Sequence, residues 1–403
     1  METLAPVTHL NTLFWNPSLA TASTRVIVAP NHDTMYCVAV LDLAAEPLVL
    51  TIPAIHDRYF VFQFLSAWTD AFGYVGTRAT GGDAGSWAIV PPGFTGTLPP
   101  GVQKLQSTTN QAFLLGRFRV VTAADIASVM ALSNQVTLET LSAFTGTASP
   151  GSPPMLASPP GSAQTVGSDG ATFFDELGDA LPPNLPVTAG EQAELAGFAP
   201  LGVGPGKHPS TTLSPSSATY AALTGGVTDG LAALADPDSV LTLKSGWEVP
   251  SHAGVWGDGD ILLRAVVASY LWGANVAEES VYLRAAVSAE GQALDGSKSW
   301  VVHFAANELP PVSAFWSVTL YGPDMFFFDN PQNVYDVSGD TPGLQKNADG
   351  SLDVLVQGSQ PATMKANWIP SPSGPFYLML RLYLPGAAVL NGTWPYPSVS
   401  VAP

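Results

Sequence analysis

Residues 26–43 read VIVAPNHDTMYCVAVLDL, an Asn31-His32-Asp33-Thr34 turn set between two apolar runs. Pro30 biases Ala29 toward extended backbone, the Asn-His-Asp run favours a turn, and a strand resumes at Met35. Polar side chains therefore emerge together at a strand edge. An unpaired buried amide or carboxylate costs about 1–3 kcal/mol, so these groups must bond one another or face a ligand. Asp33 and Tyr36 are the candidate base and acid, with Asn31 beside them, because a carboxylate and a phenol serve in that way when burial moves their pKa values toward neutrality. Asp33 also reads as a turn cap that accepts its neighbours' backbone amides.

Outward from this stretch, residues 24–121 alternate as strands do. In TIPAIHDRYFVFQF (51–64), Phe60, Phe62 and Phe64 share one face and Tyr59, Val61 and Gln63 the other, the pattern of a half-buried strand. Gly/Pro clusters at 76–85 and 91–101 separate the runs as in a sandwich or barrel. A helix is predicted over about Ala123 to Phe144, capped by Thr122 with Asp125 in its first turn. Residues 148–170 are a Pro/Gly/Ser-rich loop. Beyond them, short helices broken by prolines lead to an amphipathic one in DGDILLRAVVASYLWGANV (258–276). From Ser299 the chain returns to strands: SWVVHFAA, FWSVTLYG, LDVLVQG and FYLMLRLYLP. The expected class is α+β: an N-terminal β module (1–122), a mainly helical middle (123–280) and a C-terminal β module (281–403).

At 403 residues the chain exceeds the roughly 250–300 that one core organises, which predicts two or three domains. No apolar run approaches the ~18 residues of a membrane span, and 46% hydrophobic against 11% charged residues argues for a packed, soluble chain. Fourteen Lys and Arg against 32 Asp and Glu leave a charge of −18, which repels nucleic acid and anionic surfaces. The lone Cys37 excludes an intrachain disulfide and a cysteine-based zinc site. The start, METLAPVTHLNTLFW, lacks a basic segment ahead of an apolar one, so cytoplasmic is the expected location unless a leader has been removed. The reading leaves a homo-oligomer open.

No G-x-S-x-G, H-E-x-x-H, P-loop or dinucleotide fingerprint occurs, so no cofactor is expected. The six histidines show no metal-ligand spacing, and no metal site is assigned. Gly-rich LGVGPGKHP, interrupted by Pro205 and Pro209, reads as a turn, and Asn347-Ala-Asp349-Gly350 as a hairpin turn rather than a calcium loop. Basic residues are few enough to be informative. Arg381 shares a strand face with Tyr377, Met379 and Tyr383, opposite Phe376, Leu378, Leu380 and Leu382. Arg58 opens a strand and Arg264 lies in the amphipathic helix. An arginine buried among aromatics needs a carboxylate, so each is either a structural ion pair or a ligand anchor.

The segments PNHDTMYCVAVLDL, PAIHDRYFVFQF and YVGTRATGGDAG resemble the family known as domain of unknown function 1254. LPPVSAFWSVTLYG, DNPQNVYDV, NADGSLDVLVQ, NWIPSPSGPFYLMLRLYLP and NGTWPYP resemble its usual companion, domain of unknown function 1214. The resemblance implies a jelly-roll-like antiparallel β-sandwich for the C-terminal module. Its N-x-D-T-x-Y pattern falls on Asn31, Asp33, Thr34 and Tyr36, and its R-Y pair on Arg58 and Tyr59. In the second module it touches Arg264, Tyr321, Trp368, Arg381 and Tyr383, among others. Two departures are visible: the chain starts almost at Asn11–Phe14, without the helical lead of many relatives, and Cys37 replaces a usual serine.

The expected function is a small-molecule enzyme, a hydrolase or a lyase/isomerase, working by cofactor-independent acid–base chemistry in a cleft between the β modules. Asp33 and Tyr36 are its catalytic candidates. Asn31, Thr34, Arg58, Tyr59, Arg264, Tyr321, Trp368 and Arg381 are its candidates for substrate binding. The alternatives are a carbohydrate- or lipid-binding β-sandwich, whose aromatics would form a platform, and a structural protein using the sandwich surface.

Overall fold

The computed structural model describes residues 9–25, 27–148, 170–186, 188–235, 240–257 and 259–402. The loop expected at 148–170 lies almost wholly outside them. The class is α+β. Thr34–Asp42, the strand that follows the Asn-His-Asp turn, is the second strand of a five-stranded antiparallel sheet. Its neighbours in order are Phe14–Trp15 on one side and Gln111–Arg119, Phe60–Ser66 and Ala71–Gly76 on the other. A four-stranded sheet packs against one face: Val102–Gln106, Gly85–Val90, Leu48–Ile52 and Thr137–Thr140, the first two being parallel. Met35, Cys37, Ala39 and Leu41 alternate into the core between these sheets, with Phe60, Phe62 and Phe64 beside them. Burial of each such large side chain stabilises by about 1.5–3 kcal/mol.

The helix predicted over 123–144 is interrupted. Ala123–Ser133 is helical, with the Asp125 carboxylate accepting the Thr122 amide at 2.8 Å as the capping pattern foresaw. Asn134 then ends it, and Thr137–Thr140 pairs with Leu48–Ile52. An open sheet edge offers this β-branched segment ladder bonds that outweigh its helical spacing. Further helices cover Thr172–Ala180, Ala189–Gly197, Ala218–Leu234 and Ile261–Tyr270.

The C-terminal module stacks a six-stranded sheet on a four-stranded one. The larger runs Leu241–Lys244, Trp247–Pro250, Ser280–Ala285, Tyr377–Tyr383, Trp316–Tyr321 and Asp336–Ser338. The smaller runs Trp368–Pro370, Leu352–Gln357, Trp300–Phe304 and Ser398–Val401, with one parallel pair. Leu378, Leu380 and Leu382 enter the core between them, as the alternation required. The opposite face, with Tyr377, Met379, Arg381 and Tyr383, turns toward the five-stranded sheet of the first module. Phe60–Ser66 is thus buried on both faces rather than one, because Tyr59 and Val61 pack against Phe315 and Tyr383.

Candidate functional site

Where the two inner sheets meet, register sets the chemistry. Tyr36 lies directly opposite Arg117 across one ladder, and Tyr282 lies opposite Arg381 across another. These four side chains, with Asn31 and Tyr383, line a cavity of about 40 Å³. A volume of that order admits ordered water or a small group of a ligand.

Its electrostatic character is one-sided. Arg117 and Arg381 are 4% and 2% exposed, yet neither meets a carboxylate among the described residues. Arg117 donates to Gln63 Oε1 and to the carbonyl of Gly273, each at 2.8 Å. Arg381 donates to Thr319 Oγ1 at 2.8 Å, Tyr321 Oη at 2.6 Å and the Ala29 carbonyl at 2.9 Å. The carboxylate expected beside Arg381 is replaced by neutral acceptors. These satisfy its N–H groups without cancelling its charge.

The phenols complete the picture. Tyr383 Oη accepts from Asn31 Nδ2 at 2.7 Å, and Tyr282 Oη accepts from Asn275 Nδ2 at 2.9 Å and from Ser280 Oγ at 2.7 Å. A phenol that accepts in this way still has its own proton to give, and among the described residues no acceptor takes it. Burial raises the pKa of Tyr36, outweighing the opposing pull of Arg117 and Arg381, and burial likewise pushes that of Tyr383 well up. At neutral pH both remain donors.

Asp33 is brought close but does not line this cavity. Its Oδ1 accepts from Arg119 Nη1 at 2.9 Å, its Oδ2 accepts from Ser317 Oγ, and its amide donates to Asn31 Oδ1 at 2.6 Å. Arg119 continues to Ser338 and Asp340 and lies 4.1 Å from the centre of the Phe315 ring. Asp336, in the strand at the edge of the same cluster, has its pKa pushed up to about 8, first by loss of hydration and then by the Asp33 charge. The Asp33 carboxylate therefore joins the modules, while its backbone amide holds Asn31, which in turn fixes the Tyr383 hydroxyl.

The other predicted residues disperse. Thr34 is buried next to Asp33, and its hydroxyl meets no partner among the described residues. Arg58 bonds Asp57 at 2.6 Å on the surface side, while Tyr59 donates to the buried Glu279 at 2.7 Å, which also takes Arg78. Arg264 pairs with Asp70 and Glu191, each at 3.0 Å. Tyr321 donates to the Pro30 carbonyl, and Trp368 Nε1 to the Gln357 carbonyl at 2.7 Å. Arg117 and Tyr282 were missed. The alternation in GRFRV, which puts two of the few basic residues on one face of an apolar strand, is the signal that would have found Arg117.

Six of the ten tryptophans are buried, which leaves little for an open aromatic platform. Among the described residues, no three His, Cys, Asp or Glu side chains are grouped to hold a metal, and no helix is long and apolar enough to cross a membrane.

Comparisons with known proteins follow this division. Residues 10–140 match the family described as Protein of unknown function (DUF1254), and residues 279–387 match Protein of unknown function (DUF1214). The curated proteins contain no match. Among solved structures, the chain is similar to the VPA0106 protein of Vibrio parahaemolyticus, with 22% identity and a TM-score of 0.71 over 93% of this chain and 90% of that one. It is similar also to an uncharacterized protein of Burkholderia cenocepacia, with 13% identity and a TM-score of 0.50 over 100% of this chain and 84% of that one. At such identities the likeness concerns the fold alone. The chain belongs to the family that joins an N-terminal DUF1254 module to a C-terminal DUF1214 module.

Proposed function

We propose that the protein is a small-molecule enzyme whose substrate carries an anionic oxygen, bound in the cavity between the modules and turned over by acid catalysis without a cofactor. The observation that carries this reading is the pair of buried guanidinium groups, Arg117 and Arg381, that share one cavity and have no protein carboxylate. Two buried cations that share one cavity and bond no carboxylate among the described residues favour an anion there, with Asp33 and Asp336 acting on Arg381 only from outside the cavity, and fixed donors cost no reorganisation when charge develops. Tyr36 is the proton donor, with Arg117 and Arg381 opposing the rise in pKa that burial causes and so favouring release of its proton. Tyr282 and Tyr383 supply further donors whose oxygens are already held by Asn275, Ser280 and Asn31. Among the described residues the cavity wall has no carboxylate or imidazole. That favours protonation and oxyanion stabilisation, as in a lyase or isomerase, over base-driven hydrolysis. Asp33 is a positioning residue in this scheme.

The test is a thermal-shift panel of small carboxylic acids and their neutral amides, followed by mass-spectrometric detection of product. The acids should stabilise the wild type and fail with Arg381→Gln. Tyr36→Phe should bind as the wild type does but turn over at least about 10²-fold more slowly. Equal stabilisation by amides would refute the anion site. A Tyr36→Phe variant with full turnover would leave binding without the assigned acid, and a wild type that binds acids but converts none would support the carbohydrate- or lipid-binding alternative in its broader sense of a binding protein.

A further inference from the structure

Behind the small polar cavity lies a second one of about 310 Å³, between the helix Ile261–Tyr270 and the inner face of the six-stranded sheet. Leu271, Tyr282 and Met379 line both, so the wall between the two spaces is one side chain thick. The outer space is mainly apolar, with Leu241, Val266 and Val267 on its walls. Its one acid among the described residues, Glu248, is already paired with Arg284 at 2.6 Å. A charged head would gain nothing there. An apolar body would, because it replaces apolar surface held open to water.

We infer that the substrate is an amphiphilic acid, whose anionic group sits on Arg117 and Arg381 while its apolar body fills the outer cavity. The inference rests on the anion site proposed above and adds the body of the molecule to its head. The two cavities differ as the two ends of such a molecule differ. The inner one admits only a small group and offers buried cations and phenol donors. The outer one, at the lower end of ligand-cavity sizes, offers aliphatic and aromatic walls. Tyr282 lines both spaces, and its hydroxyl is held by Asn275 and Ser280. Leu271 and Met379 are flexible, and a change of rotamer in either opens the wall without moving backbone.

The experiment is calorimetric titration of the full chain with straight-chain carboxylates from acetate to decanoate, and with the matching primary alcohols. Affinity should rise about fourfold per added methylene until the outer cavity is full and then level off, with each alcohol at least tenfold weaker than its acid. In Leu241→Trp, which narrows the outer cavity, the rise should stop at a shorter chain. In Tyr270→Ala, which widens it, the rise should continue to a longer one. Arg381→Gln should lose every acid of the series. Thermal unfolding of each variant shows whether it is folded, and the two cavity variants shift the optimum in opposite directions, so a general loss of structure cannot imitate the result. Short acids that bind through Arg381 with no gain on lengthening would overturn this inference and leave the anion site intact. Failure of acids at every length would overturn both.

Discussion

Asp33 and Tyr36 lie three residues apart, and the strand's alternation gives them different work. Asp33 is locked by Arg119 and Ser317 at the junction of the modules, whereas Tyr36 faces the cavity. Asp33→Asn breaks a buried ion pair and leaves Arg119 short of one partner, so it should cost roughly 2–4 kcal/mol in urea unfolding. Tyr36→Phe removes a hydroxyl whose proton no protein group takes and should change stability by less than about 1 kcal/mol. Similar losses in both variants would contradict this division. Asp336 provides a pH test. Its carboxyl holds a proton more tightly folded than unfolded, so its stabilising contribution is complete below about pH 4 and disappears as the pH rises through about 8. The wild type should therefore lose roughly 3–4 kcal/mol of stability from this group between pH 5 and pH 8, about 1.4 kcal/mol per pH unit, and Asp336→Asn should flatten that slope. An unchanged slope in the variant would place the titration elsewhere.

At the scale of the element, what could be read from sequence was what a single strand or helix decides alone. Period two in FYLMLRLYLP assigned Arg381 to the face of Tyr377 and Tyr383, and period two in RYFVFQF separated the phenylalanines from Tyr59 and Gln63. What could not be read was set by partners far along the chain. The register that places Arg117 opposite Tyr36, and the neutral acceptors around Arg381, come from segments that no local pattern relates. The same limit explains the helix expected over 123–144, since a sheet edge formed by Leu48–Ile52 claims Thr137–Thr140. The turn after the helix Ile261–Tyr270 belongs to this scale too. Gly273 has φ +77°, its carbonyl receives Arg117, and an added Cβ would come within 2.9 Å of Leu115 Cδ2. Gly273→Ala should thus destabilise by about 1–3 kcal/mol and weaken anion binding at the same time. Weakened binding should persist well below the melting temperature, where simple unfolding contributes nothing.

At the scale of the molecule, four sheets lie in sequence, and the two inner ones meet through faces that neither module could leave in water. Tyr59, Val61, Phe315 and Tyr383 form one cluster across the junction. Polar links cross it at several points: Asn31 to Tyr383, Asp33 to Ser317, Arg119 to Ser338 and Asp340, Arg381 to the Ala29 carbonyl, Tyr321 to the Pro30 carbonyl, and Tyr59 with Arg78 to Glu279, which is wholly buried. Contacts between domains in one chain are usually polar and loosely held, which allows the parts to move or unfold separately. Here the junction contains the inner face of both sheets, and the helix Ile261–Tyr270 closes its side. Separation would expose the aromatic and apolar surface around Arg117 and Arg381 to water, which could solvate the guanidinium groups but not Tyr59, Val61, Phe315 and Tyr383. We therefore expect a single unfolding transition, with tryptophan near-ultraviolet signal and protease resistance of both modules lost at the same urea concentration. Glu279→Gln, which weakens the link to Arg78 and Tyr59, should lower that midpoint for both modules alike. A fragment of residues 1–148 should fail to give the near-ultraviolet spectrum of a packed core. Two resolved transitions, or a folded fragment, would show instead that each module is stable alone, and the anion cavity would then be a seam that opens and closes rather than a site fixed by folding.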